Sequence, residues 1–405
     1  MRKRVKMFLP AVCLLLSLCG EATANTVYTT VDFSYTSGLL GLVDETLTAS
    51  ALVPNLTGDS AVFSFFHNSE SRVAVVDRSN YAVGDRIMIY APAQGWEVPL
   101  ANESWESVVN IHSMAASGNR LYAAGFGAVG SVAGKIVEAS LPDGKLTGRE
   151  YALLASSDFT AHAEEVLVKD GFVYALFTQE KGEYPNYIYG PSKVVKLTLD
   201  LTPVSESDAG KNSTDMALWG DKIVIAGWGG PQGFGTSGGV DVLDLATGTV
   251  TPLLGDSFSE GVSAVCSAGG TLYFTGQTYL TAEDFFPVST LYKWTGTAVE
   301  KVRDISSRSG YTFQLAWDGD NNALVTAAGD ILLLFNPADN SLKKTLLTPE
   351  LGGNLYSVAV IPNISKPNGD NDSDSDKDGG GGCNSVTGAL VLILFLPLGM
   401  LRGRK

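Results

Sequence analysis

Short apolar runs in which every second residue is apolar recur along the chain, and this pattern is typical of half-buried β-strands. Seven such runs begin at intervals of 42 to 52 residues. They cover residues 31–35, 73–76, 121–125, 172–176, 223–227, 272–276 and 324–328. Similarity at a near-constant period of this length is the signature of a repeat architecture.

Each run has the same kind of neighbours. A polar turn rich in Gly, Asp and Asn precedes it, and before that turn lies another strand, as at 215–219. A third strand and a more polar fourth strand follow, as at 240–244 and after the turn at 246–248. Four strands in about 50 residues are typical of one β-propeller blade. The body has no useful helical period, which counts against a fold of alternating strands and helices.

The two ends of the body complement each other. Few residues precede the first run, so the first repeat lacks its innermost strand, whereas a spare strand follows the last repeat at 355–361. We therefore predict an all-β, seven-bladed β-propeller over residues 25–364, closed by a strand at 354–362 that joins the first blade and removes an exposed sheet edge. A six-bladed propeller and a large β-sandwich are the alternatives. No blade signature assigns a propeller subfamily.

The N-terminus has the layout of a secretory signal peptide. Residues 1–6 are basic, 7–19 are apolar, and 22–24 form a small-x-small cleavage site. Signal peptidase is expected to cut after Ala24. A lipoprotein interpretation at Cys19 ranks second, because Leu18 stands where a bacterial lipobox has Gly, Ala or Ser.

The C-terminus has three parts. An acidic linker at 365–378 leads to a glycine run that ends in Gly382 and Cys383, and an apolar stretch at 386–401 is followed by a basic end at 402–405. The apolar stretch is somewhat shorter than the roughly 20 residues of a typical spanning helix. The basic end favours a cytoplasmic position for the terminus.

This order of glycines, cysteine, apolar span and basic tail resembles the bacterial C-terminal sorting signals called CTERM domains, most closely the Synergistetes type. The resemblance covers about residues 379–405. It implies export, retention in the membrane, processing near Gly382 and Cys383 by a sorting protease, and display at the cell surface. A plain membrane anchor behind a glycine spacer is the alternative.

Charge and cysteine content narrow the function classes. The chain has 28 Lys and Arg against 43 Asp and Glu, a net charge of −15 that becomes −18 when residues 1–24 are removed. Such an acidic chain has no electrostatic footprint for a phosphate backbone, which excludes nucleic acid as a partner. The body holds one cysteine, Cys266, in a small apolar strand. We expect a buried, inert thiol and no internal disulfide.

The longest predicted loops connect second and third strands, at 126–133, 179–191, 229–239 and 277–289, and all four lie on one face of a propeller. Their aromatic residues, with one at a loop root, are Phe126, Tyr184, Tyr187, Tyr189, Trp228, Phe234, Phe285 and Phe286. Long loops on a rigid scaffold and amphipathic rings predict a binding face for a peptide, glycan or partner protein. The alternative is that these rings pack on one another and hold the loops.

Catalytic motifs are scarce. Of the three histidines, His67 and His112 lie in apolar strands and are expected in the core or along the channel, whereas His162 stands on an inner strand beside Glu164 and Glu165. A metal or acid–base role for these three residues is conceivable, but a hydrogen-bonded structural role is favoured. No HExxH, GxSxG or CxxC motif is present. We therefore expect a protein that is not an enzyme.

The acidic linker carries Asp374, Asp376 and Asp378, which have the spacing of the first ligands of a calcium loop. The place of the last ligand is taken by Ser385. A charged, extended stalk is favoured, with weak Ca²⁺ binding as the alternative. No other cofactor is expected.

Together these features predict an exported, membrane-anchored propeller that binds a ligand through its long-loop face. The alternatives are an exported glycan-active hydrolase or lyase on the same scaffold, and a structural protein of the envelope.

Overall fold

The computed structural model describes residues 25–361 except 33–35, 45–46, 57–59, 79–83, 129–131, 155–157, 183–186, 230–237, 255–257, 279–287, 306–311, 320 and 329–330. These residues form an all-β, seven-bladed β-propeller. The predicted fold class is confirmed, and the six-bladed and sandwich alternatives are wrong. No helix in the described residues is long and apolar enough to cross a membrane. The predicted signal peptide, linker and apolar span lie outside them.

The first four blades follow one another along the chain from the N-terminus. Blade 1 contains β1 (Asn25–Val31), β2 (Gly38–Val43) and β3 (Ala49–Leu56). Blade 2 contains β4 (Ser60–His67), β5 (Glu70–Asp77), β6 (Asp85–Tyr90) and β7 (Ala101–Trp105). Blade 3 contains β8 (Ile111–Ser117), β9 (Arg120–Gly125), β10 (Lys135–Ser140) and β11 (Leu146–Tyr151). Blade 4 contains β12 (Thr160–Lys169), β13 (Phe172–Lys181), the short extra strand β14 (Ile188–Tyr189), β15 (Pro191–Thr198) and β16 (Pro203–Lys211).

The remaining blades follow the same order from the inside outwards. Blade 5 contains β17 (Ser213–Trp219), β18 (Lys222–Gly227), β19 (Gly239–Asp244) and β20 (Val250–Pro252). Blade 6 contains β21 (Gly261–Ala268), β22 (Thr271–Thr278), β23 (Val288–Trp294) and β24 (Val299–Asp304). Blade 7 contains β25 (Thr312–Asp318), β26 (Ala323–Ala328), β27 (Ile331–Asn336) and β28 (Ser341–Leu347). A single helical turn, α1 (Thr348–Leu351), leads into the last strand, β29 (Asn354–Ile361).

The last strand completes the first blade. β29 pairs antiparallel with β1, from Asn25 opposite Ile361 to Val31 opposite Asn354, and becomes the innermost strand of blade 1. The innermost strands β29, β4, β8, β12, β17, β21 and β25 then contact one another in a closed cycle. Closure therefore depends on a pairing between the two ends of the body.

The first predicted strand is misplaced. The sequence pattern put a strand at 31–35, but β1 is Asn25–Val31 and residues 33–35 are outside the described part. Val27, Tyr28 and Thr29 of β1 are all buried, because β29 and β2 flank the strand and neighbouring blades cover both faces. A strand buried on both faces loses the polar alternation by which it would be recognised.

The two faces of the ring differ in their connections. One face, the hairpin face, carries the turns between first and second strands and between third and fourth strands. The other, the loop face, carries the loops between second and third strands and the links between blades. The hairpin turns are tight: Asp170 and Gly171 have φ of 52° and 72°, as a two-residue hairpin requires.

The hydrophobic core lies between blades rather than inside any one of them. Separate clusters join blades 1 and 2, 2 and 3, 3 and 4, 4 and 5, and 7 and 1, and one cluster spans blades 5, 6 and 7. Both faces of the second strands are covered, which explains uninterrupted apolar stretches such as Val73 to Val76 in β5. No blade is expected to be stable alone, because each shares its core with its neighbours.

Six of the seven innermost strands contain a β-bulge near the loop face; β4 is the exception. In four of the six, the side chain that follows the bulge accepts a hydrogen bond from a backbone amide of the next innermost strand. The bonds join Val166 N to Ser113 Oγ at 3.2 Å, Val265 N to Asp215 Oδ2 at 2.7 Å, Val358 N to Gln314 Oε1, and Val62 N to Ser357 Oγ at 2.9 Å. These bonds fix the register between blades.

Candidate functional site in blades 3 and 4

Buried polar side chains gather where blades 3 and 4 meet the loop face. His112 lies near the start of β8, His162 and Glu164 near the start of β12, and Glu180 near the end of β13. Both histidines are fully buried, and the two glutamates are 4% and 6% exposed. Strand direction explains the grouping, since first strands begin and second strands end at this face.

The bulges in β8 and β12 present two of these residues. Ile111 pairs with Gly125 and Ser113 with Ala124, so His112 is the extra residue of its strand. Glu164 is the extra residue of β12 in the same way. A bulge redirects a side chain out of the regular pleat. His112 Nδ1 and Glu164 Oε2 are 2.8 Å apart and form a hydrogen bond across the two blades.

An aromatic stack joins the two histidines. The Phe126 ring lies between the imidazoles of His112 and His162, with centroid distances of 4.6 and 4.3 Å and interplanar angles of 23° and 14°. The His162 Nδ1 atom is 2.9 Å from the Phe126 carbonyl oxygen. A carbonyl can only accept, so this nitrogen carries the hydrogen. His162 Nε2 is 3.3 Å from Glu180 Oε1, so the two side chains form a close pair.

Burial favours the neutral forms of the hydrogen-bonded pair. It raises the pKa of Glu164 well above its ordinary value, and the charge of Glu180 raises it further. Burial lowers the pKa of His112, helped by the charges of Arg78 and His162. The favoured state is a protonated Glu164 carboxyl that donates to the unprotonated Nδ1 of a neutral His112. Such displaced acid–base groups occur more often at functional sites than elsewhere.

Glu165 lies one residue further along β12, at the level of the inter-blade bonds. It accepts a hydrogen bond from Ser113 Oγ on β8. Burial and the nearby charge of Asp215 raise its pKa well above the ordinary value, against the opposing effect of the Ser113 bond. The residue is 1% exposed, which makes it part of the buried wall rather than of a surface.

Blade 4 extends beyond the pattern of the other blades at this face. Its first two strands have ten residues each, and β14 pairs with the end of β13, which sets Tyr189 opposite Glu180. Burial and the charges of Glu180 and Glu164 raise the pKa of Tyr189. Tyr187 and Tyr189 are half-buried with ring centroids 6.4 Å apart, and Ile188 between them is 56% exposed.

An arginine connects the site to blades 1 and 2. Arg78 follows β5 and is 2% exposed. Its Nη1 donates to the Tyr356 hydroxyl at 2.9 Å, and its Nη2 donates to the Ile111 carbonyl. The guanidinium carbon lies 5.7 Å from the Tyr356 ring centroid. This cation is therefore engaged by Tyr356 and by the backbone of β8.

The structure brings His162, Glu164 and Glu165 together on one strand. Phe126 and Trp228 were expected on a binding surface, but they are 8% and 9% exposed, because Phe126 fills the stack and Trp228 lies against Gly261. Several predicted residues lie outside the described part of the chain: Tyr184, Phe234, Phe285, Phe286, Asp374, Asp376, Asp378, Ala24, Gly382 and Cys383.

Sequence reasoning missed four participants. His112 was assigned to the core or channel, while Glu180, Arg78 and Tyr356 were not singled out. A charged residue near the end of a second strand was the available signal for Glu180, and one directly after such a strand was the signal for Arg78. His67 is buried at the hairpin face, away from this cluster. Its Nδ1 donates to the Gly118 carbonyl, and its Nε2 accepts from the Asn68 side-chain amide. Cys266 is a buried free cysteine, as predicted.

No group of three or more His, Cys, Asp or Glu among the described residues could hold a metal ion. The arrangement supports hydrogen bonding and proton transfer between paired groups.

The sequence matches no protein-family model and no curated protein. Solved structures share the fold. A Bacteroides uniformis protein, assigned provisionally as a 6-phosphogluconolactonase, aligns with a TM-score of 0.58 and 12% identity over 84% of this chain and 100% of its own. A Lactobacillus plantarum protein has a TM-score of 0.55 and 11% identity over 83% and 98%.

The β-propeller domain of the Trilobed protease from Pyrococcus furiosus aligns with a TM-score of 0.45 and 11% identity, over 85% of this chain and 95% of that domain. At such identities the first two similarities establish the fold alone.

Proposed function

We propose that this protein is an exported β-propeller, held at the cell envelope by its C-terminal tail, that binds a protein, peptide or glycan through its loop face without catalysis. The observation that carries the proposal is the face of the ring at which the chain enters and leaves. Asn25 pairs with Ile361, and both lie where the other blades have the turn between first and second strands. The chain therefore enters and leaves the ring at the hairpin face.

This placement of the chain ends matters for display. A tail attached at the hairpin face turns the loop face away from its anchor. The loop face also combines two kinds of side chain that are typical of a binding surface. Buried ionisable groups lie beneath it, and exposed apolar side chains lie on it. Val132, Leu154 and Ile188 are 45%, 95% and 56% exposed, and all three belong to loops or links of blades 3 and 4. Exposed apolar groups rimmed by polar residues are typical of interaction sites.

Mass spectrometry tests both the export and the anchoring of the chain. Mass spectrometry of protein released from the cell surface should identify a chain that begins at Asn25 and ends near Cys383. A surface-exposed chain that still ends at Lys405 would contradict processing, and a chain found only inside the cell would contradict export.

Binding is tested with residues 25–364 on protein and glycan arrays. The double variant Leu154→Asp with Ile188→Asp should lose the retained ligand. The matched control is Val204→Asp with Leu342→Asp, which changes exposed apolar residues on the outer strands β16 and β28. Equal loss in both variants, or no loss in the first, would reject the loop face as the binding surface.

A second candidate function rests on one observation, the raised pKa of Glu164, which is what a general acid requires near neutral pH. A glycan-active hydrolase or lyase would use Glu164 and Glu165 with His162. Turnover of a glycan panel by the wild type, and its loss in Glu164→Gln, would support this alternative. Binding without turnover would leave the first proposal in place.

A further inference from the structure

Blade 4 holds three buried carboxyl groups without a lysine or arginine partner in the described part of the chain. Glu164, Glu165 and Glu180 are each at least 94% buried. Their polar neighbours are His112, Ser113 and His162 respectively, and none of the three carboxyls contacts a lysine or arginine of the described chain. Burying carboxyl groups without a cation is costly, so proteins pair or neutralise them.

Three side-chain atoms of the same cluster lack a hydrogen-bond partner. They are Oε2 of Glu165 and Nε2 of His112 and of His162, and all three residues are at least 99% buried. Buried polar atoms are nearly always satisfied, so unsatisfied ones in a cluster point to a group that completes it. Arg78, whose charge acts on His112, donates its hydrogen bonds to the Tyr356 hydroxyl and the Ile111 carbonyl.

Aromatic side chains stand at the loop-face side of these carboxyls. Tyr189 is opposite Glu180 in the β13–β14 pairing, and Tyr187 stands beside it. A ring beside carboxylates is the arrangement that holds organic cations, because the ring face and the carboxylates both attract positive charge. Blade 4 already contains contacts of this kind, since Lys181 Nζ lies 4.7 Å from the Phe159 ring centroid and Lys196 Nζ lies 3.8 Å from the Phe172 ring centroid.

We propose that the loop face of blade 4 binds a cationic side chain of a peptide ligand, an ammonium or guanidinium group, against Glu180 and Glu164 and beside the ring of Tyr189. This inference rests on the proposed binding function and names the chemical class of its ligand. The net charge of −15 favours the approach of a basic partner over long range.

A bound cation changes the proton balance of the site. Glu164 faces His112 and Glu180, with Arg78, His162 and Tyr189 around them. A cation beside Glu164 stabilises its carboxylate, so the carboxyl proton that the free protein holds is released on binding. Raising the pH favours the carboxylate, and the affinity for the cation therefore rises with pH.

The probe is Nα-acetyl-lysine methylamide, and its uncharged counterpart is Nα-acetyl-norleucine methylamide. Saturation-transfer NMR with the full chain in detergent gives the Kd of each. We expect the lysine probe to bind at least about tenfold more tightly than the norleucine probe, which corresponds to 1.4 kcal/mol. Glu180→Gln and Glu164→Gln should each weaken the lysine probe by a similar factor, whereas Glu206→Gln on the exposed strand β16 should not.

Tyr189 provides a test that leaves the carboxyls intact. Tyr189→Leu should weaken the lysine probe several-fold, and Tyr189→Phe should restore it because the ring remains. Thermal melting of each variant confirms that it is folded. For the wild type, affinity should rise from pH 5 to pH 8, and calorimetry in buffers of different ionisation enthalpy should record proton release.

Equal binding of the two probes, no binding of either, or unchanged binding by the Glu164→Gln and Glu180→Gln variants would overturn the cation site. The broader proposal is separable from it. If Leu154→Asp with Ile188→Asp removes array binding while the lysine probe fails, the loop face is correct and its cation preference is wrong. If the lysine probe binds but array binding survives that double variant, the partner surface lies elsewhere.

Discussion

The burial of Glu164 and Glu165 makes the free energy of unfolding depend on pH. Burial raises the pKa of both above the value of an unfolded chain, so the folded protein holds more protons than the unfolded one above about pH 4.3. The stability that these two carboxyls contribute is therefore fully present below about pH 4.3. It is lost as the pH rises from there through the folded-state pKa values. His112 has the opposite effect, because its lowered pKa reduces the free energy of unfolding as the pH falls below about 6.5. The two carboxyls outnumber this single imidazole, so we expect their effect to be the larger one.

We predict that Glu165→Gln stabilises the protein at pH 8 by on the order of 1–2 kcal/mol, because an amide can accept the Ser113 hydrogen bond without the cost of a buried charge. Urea unfolding at pH 5, 6.5 and 8 gives the free energy of unfolding. The free energy of unfolding of the variant should depend less on pH than that of the wild type. The control is Glu206→Gln, an exposed change that should follow the wild-type curve. A destabilised variant at pH 8 would show that the carboxylate itself is needed.

Gly134 allows the second-to-third loop of blade 3 to lie on the backbone of β12. A Cβ atom there would be 2.2 Å from Ala163 N and 2.7 Å from His162 Cα, and the Gly134 amide donates to the Ala161 carbonyl at 2.8 Å. We predict that Gly134→Ala costs about 1–3 kcal/mol. The control is Gly239, the first residue of β19, which has open space around it, so Gly239→Ala should be neutral. Chemical denaturation of both variants gives the comparison, and equal stabilities would contradict this packing.

At the scale of elements, the second strand of each blade was the one that the sequence predicted best. Six of the seven runs fall within second strands β5, β9, β13, β18, β22 and β26, because these strands are flanked on both sides and need apolar residues throughout. The run assigned to blade 1 was displaced. Its strand begins at Asn25 and contains polar Thr29 and Thr30, which the ring buries almost completely.

The candidate site was only partly predictable, because its geometry comes from irregular elements. The bulges that present His112 and Glu164 have no local sequence signal that we recognised, and β14 has only two residues. Phe126 was chosen for its place in a long loop, but the approach of blades 3 and 4 draws it between two imidazoles. Contacts between blades are set by the whole ring, so a single repeat does not contain them.

The closing strand leads to a prediction about truncation. A chain that ends at residue 353 lacks β29, which leaves β1 with an open edge and removes Ser357 and Val358 from the inter-blade bonds. We predict that residues 25–353 lose cooperative thermal melting. Residues 25–364 keep β29 and should melt at the temperature of the full chain. Circular dichroism and calorimetry of the two fragments test this, and cooperative melting of the shorter one would mean that the ring does not depend on its end strand.

At the scale of the whole molecule, the ring separates two tasks. The hairpin face has tight turns and both chain ends, whereas the buried ionisable groups of blades 3 and 4 lie under the loop face. Inter-blade hydrogen bonds and shared cores couple the seven sheets into one unit. A ligand bound at blade 4 should therefore raise the unfolding temperature of the entire ring rather than of one blade.

Cys266 can report whether the ring opens as a unit. It is fully buried on β21 within the cluster that joins blades 5, 6 and 7, and it is the only cysteine of residues 25–364. We predict that a thiol reagent leaves the folded fragment unlabelled over a time in which the urea-unfolded fragment reacts completely, because the sulfur is reached only when these blades separate. In a Ser205→Cys variant, whose added thiol is exposed on β16, that thiol should react at once. Labelling of Cys266 that is fast in the folded fragment and insensitive to sub-denaturing urea would show that blades 5 to 7 open locally, and the ring would then be a chain of loosely joined sheets rather than one cooperative body.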